Sequence, residues 1–70
     1  MEPLDAALTV LRDAGEPLHW TVIQDRALRG GLMDPFVTPD VRRVLLAALA
    51  TGVRSGALVK TATGVYALPS

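Results

Sequence analysis

Few side chains in this sequence are equipped for chemistry, and their spacing points to recognition rather than catalysis. His19 is the only histidine, the only serines are Ser55 and Ser70, and cysteine is absent. A nucleophile needs a base within hydrogen-bond reach, and that base needs an orienting acid. His19, between Leu18 and Trp20, has no evident acid to orient it. Gly30-Gly31 follows a helical segment instead of opening one, so it does not read as a phosphate loop. His, Asp and Glu never cluster at metal-ligand spacing. The expectation is a non-enzymatic chain with no catalytic residue, metal, cofactor or small-molecule substrate; so short a chain also has little room for a pocket.

The remaining candidates are cations: the pair Arg42-Arg43, then Arg54 and Lys60. A guanidinium fork matches both a phosphate and the edge of a guanine. Net charge is zero, but its distribution is lopsided. All seven acidic residues (Glu2, Asp5, Asp13, Glu16, Asp25, Asp34, Asp40) lie at or before position 40, so residues 1–40 carry −4 and residues 41–70 carry +4. Asymmetry of this kind hints at a polar partner such as nucleic acid.

These cations need a scaffold, and the apolar periodicity describes one. Leu4, Ala7, Leu8 and Leu11 recur at helical spacing opposite Asp5, Thr9, Arg12 and Asp13, which predicts an amphipathic first helix ended by Gly15 and Pro17. Leu18-His19-Trp20 reads as a short extended segment. Thr21 and Gln24 form a capping-box pattern that opens a second helix over Val22–Arg29, with Ile23, Ala27 and Leu28 inward and Gly30-Gly31 as its stop. Arg26, Arg29 and Asp25 share its mixed-charge outer face. Residues 32–37 read as a loop punctuated by Asp34-Pro35. Thr38 as N-cap and Pro39 at the first helical position start a third helix, with Val41, Val44, Leu45, Ala48 and Leu49 inward and Gly52 closing it. Residues 57–61 and 65–68 flank Ala62-Thr63-Gly64 and predict a β-hairpin. A lone hairpin is marginal in water, so it is expected to lean on the helices and pair with residues 18–20. Helix, short strand, helix, helix and hairpin make an α+β winged helix-turn-helix, a single domain over residues 1–70.

The same residues resemble a known family. Leu4-Asp5-Ala6-Ala7-Leu8, Leu11 and Pro17-Leu18-His19-Trp20-Thr21-x-Ile23 are similar to the opening of the HARE-HTH domain. Ala27-Leu28-x-x-Gly31-Leu32, Thr38-Pro39 and the ending Leu58-Val59-Lys60 with Gly64-Val65-Tyr66-Ala67-Leu68 continue the likeness in order. That family is a winged helix found beside restriction enzymes and chromatin regulators, and at the N-terminus of the bacterial RNA polymerase delta subunit. The resemblance implies a DNA-linked role, with some members docking onto proteins. The third helix departs from the pattern: Arg42-Arg43-Val44-Leu45-Leu46-Ala47-Ala48-Leu49 stands where the family shows a Thr and a more polar helix.

In helix-turn-helix proteins the recognition helix lies in the major groove with its leading residues on the bases. Here that helix carries Arg42 and Arg43 at its leading end, while Arg54 and Lys60 are placed to touch backbone phosphates without reading sequence. Double-stranded DNA is the expected partner. The alternative is a protein partner or a second copy, docked on the outward apolar stripe Leu46, Ala47 and Ala50 with Phe36. Phe36 itself reads first as a core-capping side chain, and His19, Trp20 and Tyr66 as packed residues. The N-terminus, with Glu2 and Asp5, does not resemble a signal peptide, and the apolar run 44–50 is too short for a membrane span. The expected location is the cytoplasm.

Overall fold

The computed structural model describes residues 1–69, and the counts below refer to them. In chain order the elements are α1 (Pro3–Ala14), β1 (Leu18–His19), α2 (Trp20–Arg29), α3 (Val41–Ser55), β2 (Val59–Ala62) and β3 (Val65–Ala67). The strands form one antiparallel sheet in the order β1-β3-β2, so three helices and a hairpin pinned to a short first strand give the α+β winged-helix layout. No helix among the described residues is long and apolar enough to cross a membrane.

α1 opens with Pro3, where a missing N–H costs nothing, and ends at Gly15 (φ 69°), whose N–H donates to Leu11 O at 3.0 Å. It packs on both other helices, and its buried face is Ala6, Ala7, Val10 and Leu11, with Leu4 and Leu8 at the margin. The apolar stripe is thus turned slightly from the one its leucines trace. Leu11, Ile23, Leu45, Leu49 and Leu58 are the largest fully buried side chains, and no charged side chain is buried among the described residues.

Several boundaries differ from the sequence expectation, some for a tertiary and some for a local reason. The Thr21–Gln24 capping box does not form. β1 pairs with β3 (Leu18↔Tyr66, His19↔Val65), and the Trp20 N–H donates to Gly64 O at 2.9 Å, so the chain turns from strand directly into helix at Trp20. His19 becomes the N-cap: its Nδ1 accepts from Thr21 N at 3.3 Å and lies 2.8 Å from Thr21 Oγ1. Gln24 turns inward, its Oε1 shielded from solvent with no hydrogen-bond partner among the described residues.

α3 starts at Val41, not at Thr38-Pro39. The preceding loop is wound around Asp34, whose carboxylate accepts from Phe36 N (2.9 Å) and whose carbonyl accepts from Val37 N (3.1 Å) and Thr38 N (2.8 Å). That turn delays the helix until Asp40, the N-cap, which makes no side-chain cap bond. Nor does Gly52 end α3. The helix runs on to Ser55 and is closed by Gly56 at φ 83°. Gly52 is a contact residue: a Cβ there would lie 2.8 Å from both Leu4 Cδ1 and Leu58 Cδ1, and its carbonyl accepts from Ala57 N and Leu58 N.

The hairpin is shorter than expected, with Val59↔Ala67, Lys60↔Tyr66 and Ala62↔Val65 paired and an irregularity at Thr61. Every residue of β2 is exposed, whereas Tyr66 and Ala67 of β3 are buried. The wing therefore rests on the body through β3 and through Leu58, the buried residue that leads into β2.

Candidate nucleic-acid interface

Arg42 and Arg43 occupy the first turn of α3, both exposed, but they are held in different ways. Arg43 Nε lies 3.6 Å from Asp40 Oδ2, an open ion pair with side chains 85% and 63% exposed. Pairs this exposed are worth at most about 1 kcal/mol. Arg42 has no carboxylate partner among the described residues; its guanidinium carbon sits 5.2 Å from the centroid of the Trp20 ring. That is within the range in which a cation is attracted to the aromatic face.

Trp20 is the hub of this end of the molecule. It is half-buried at the first position of α2, its N–H bound to the wing turn and its ring 5.7 Å from that of His19. Gly64, at φ 72°, brings the wing turn so close that a Cβ would lie 2.8 Å from His19 Nε2 and 3.3 Å from Trp20 Cδ1. The leading ends of α2 and α3 and the tip of the wing thus meet at one indole. Sequence reading assigns Trp20 to packing and misses this role. The available signal is one aromatic and one arginine, each at the start of a helix of the helix-turn-helix pair.

The other two predicted cations lie apart. Arg54 belongs to the last turn of α3, where its Nη2 donates to Thr51 Oγ1 at 3.2 Å. At about 1.5 Å per residue it is roughly 18 Å along the axis from Arg42. Lys60 is exposed on the edge strand β2, paired across to Tyr66. Arg43, Ala47, Ala50 and Arg54 follow one exposed stripe of α3, and Arg42 lies to one side of it, towards Trp20.

The alternative apolar set divides. Leu46 is half-buried and packs against the core, so it is not part of a free stripe; Ala47 and Ala50 are exposed. Phe36 is the correction. The expectation of a core-capping side chain fails because the turn around Asp34 projects it outward, 94% exposed, beside Val37 at 79%. Among the described residues no three of His, Asp and Glu come together as metal ligands. Compared with family models, with curated proteins and with solved structures, the chain matches none.

Proposed function

We propose that this protein is a non-catalytic DNA-binding winged-helix module, acting in transcription regulation or another DNA-linked process in the cytoplasm, as its likeness to the HARE-HTH family implies. The observation that carries this reading is the leading turn of α3: two exposed arginines, one of them with no carboxylate partner among the described residues and with its guanidinium over the Trp20 ring. The acid-free half of the chain supplies Arg54 and Lys60 as backbone contacts. α3 also presents first-turn amides without a side-chain cap, which favours a nearby phosphate.

The test is titration of a fluorescent random-sequence duplex by polarisation across a salt series. Three phosphate contacts, from Arg43, Arg54 and Lys60, give a log–log salt slope of about −2.7. Replacing both Arg42 and Arg43 with Ala is expected to weaken binding by about 2 kcal/mol and to flatten the slope by about 1. No binding at low salt, or an unchanged affinity in the double variant, refutes the reading.

Phe36 favours a second reading, a protein-docking knob beside the DNA face or in place of it. An exposed Phe–Val pair on a loop ordered by its own hydrogen bonds is an unusual expense of apolar surface. If copies associate through it, sedimentation at rising concentration shows assembly that Phe36→Ser removes with no loss of stability, because the ring buries almost nothing in the monomer.

A further inference from the structure

Resting on the DNA-binding reading, we propose that Trp20 is a positioning residue that aims Arg42 at the N7/O6 edge of a guanine in the major groove, while Arg43, tied to Asp40, grips backbone. The two arginines are adjacent in sequence and equally charged, yet their surroundings differ in kind. Arg43 shares its charge with a carboxylate, and that carboxylate repels any phosphate or base oxygen that approaches. Arg42 is held by a neutral ring face, so its charge is undiminished and its N–H donors make no hydrogen bond within the protein among the described residues.

Stacking matters because of what guanine demands. Bidentate recognition of N7 and O6 needs two coplanar donors at fixed spacing, whereas a phosphate accepts donors from many directions. A free arginine loses rotamer freedom on docking; one already lying on an aromatic surface loses less. The backbone N–H of Trp20 donates to Gly64 O and the wing turn lies against the ring edge, so the aim of Arg42 is referred to both α2 and the wing. The arginine also lies near the leading end of α3, where recognition helices present base-reading side chains.

The probes are an alternating dG·dC duplex and the same duplex with every guanine replaced by 7-deazaguanine. The replacement removes the N7 acceptor and leaves the phosphate charge unchanged. Dissociation constants are measured by polarisation at one low salt concentration for the wild type, Arg42→Ala, Arg42→Lys, Trp20→Leu, Trp20→Phe and the Trp20→Leu/Arg42→Ala double variant. The wild type is expected to prefer the guanine duplex about tenfold. Arg42→Lys keeps the charge and the salt slope but only part of that preference, since an ammonium reaches N7 and O6 without the planar fork; Arg42→Ala leaves the core untouched and loses most of it. Trp20→Leu also loses most of it, Trp20→Phe restores most of the preference, and Trp20→Leu changes nothing further once Arg42 is Ala. Should Trp20→Leu fail to fold by circular dichroism, the Arg42→Ala and Trp20→Phe arms decide the question.

A preference that survives Arg42→Ala overturns the proposal. So does a Trp20→Leu effect that is equal on both duplexes or persists without Arg42, since that is the mark of a merely structural tryptophan. Equal, salt-sensitive binding of both duplexes by the wild type overturns the guanine assignment but leaves the DNA-binding reading standing. Binding of neither duplex removes both.

Discussion

At its C-terminal end α3 is clamped: Leu4 and Leu58 press on Gly52, the Gly52 carbonyl accepts from the N–H groups of Gly56, Ala57 and Leu58, and Gly56 turns the chain away in a left-handed conformation. At its N-terminal end the same helix begins loosely. Asp40 caps no amide, Arg43 and Asp40 pair in open solvent, and the loop before them holds Phe36 out in water. The exposed Arg42 side chain there lies over the Trp20 ring. One end of α3 thus holds the fold together, and the other keeps polar groups and charge available at some cost in stability. Low local stability at a working surface and high stability away from it is the usual division in a small domain.

The largest effect should come from filling the clamp. Gly52→Val places two branches where one Cβ already lies within 2.8 Å of Leu4 and Leu58, and Leu58 is fully buried with its Cγ only 3.1 Å away. Overpacking of this kind costs about 3 kcal/mol, and for a domain of this size that lowers the melting temperature by roughly 15 °C. Gly52→Ala should be much milder. It adds one methyl in place of three carbons; Leu4 is half-buried and can give way, buried Leu58 must still shift, and the gain in helix propensity of about 1 kcal/mol offsets part of that strain. Thermal melts of the two variants measure the clamp directly. If Gly52→Val melts like the parent, the close approach of α1, α3 and β2 at this point is wrong.

Gly52 also shows where sequence reading reaches its limit. Helix faces are legible because burial follows the 3.6-residue period: Val41, Leu45 and Leu49 lie on the inner face of α3 as their spacing requires. The hairpin is legible from two short strand-like runs flanking a turn with a glycine. A glycine late in a helix, however, is a stop or a contact depending on what packs against it, and Leu4 and Leu58 are remote in sequence. His19 displaces Thr21 as the cap for a similar reason, because pairing with β3 decides where β1 ends. At the candidate site, Arg42 and Arg43 are legible as an exposed pair from helical geometry. Their difference is not, since it depends on the angle at which the start of α2 meets the start of α3. Phe36 is misread because an apolar residue in a Pro-flanked loop carries no periodicity to say which way it points.

A smaller effect tests whether the loose end depends on the wing. Gly64→Ala forces a side chain into a left-handed conformation at φ 72° and sets its Cβ against His19 Nε2. The conformation costs about 1 kcal/mol. The imidazole is exposed and can swing aside, but in doing so it gives up the cap on Thr21, worth up to about another 1 kcal/mol. The expected loss in chemical denaturation is about 1.5 kcal/mol. Trp20 emission, the only indole signal in the chain, should change in the folded state as the ring edge is disturbed. A stability loss without any change in Trp20 emission would mean that the wing turn and the indole are independent.

The smallest effect on stability separates the two arginines. In Asp40→Asn the exposed pair with Arg43 is lost, at a cost of about 0.5 kcal/mol or less, and a favourable charge at the start of α3 is lost for a similar sum. The fold should be unchanged and the melting temperature should fall by no more than about 5 °C. On the DNA-binding reading, removing the carboxylate frees Arg43 and takes a repulsive charge away from incoming phosphates. Affinity for duplex should then rise by about threefold at low salt, and the gain should shrink as salt screens it. The same substitution in an Arg43→Ala background should gain less, because only the repulsion remains to be relieved. An Asp40→Asn protein that binds duplex no better than the parent would mean that Arg43 does not face the DNA. The leading turn of α3 would then offer Arg42 alone, too little charge to hold a duplex, and the exposed Phe36 would become the better guide to what this face meets.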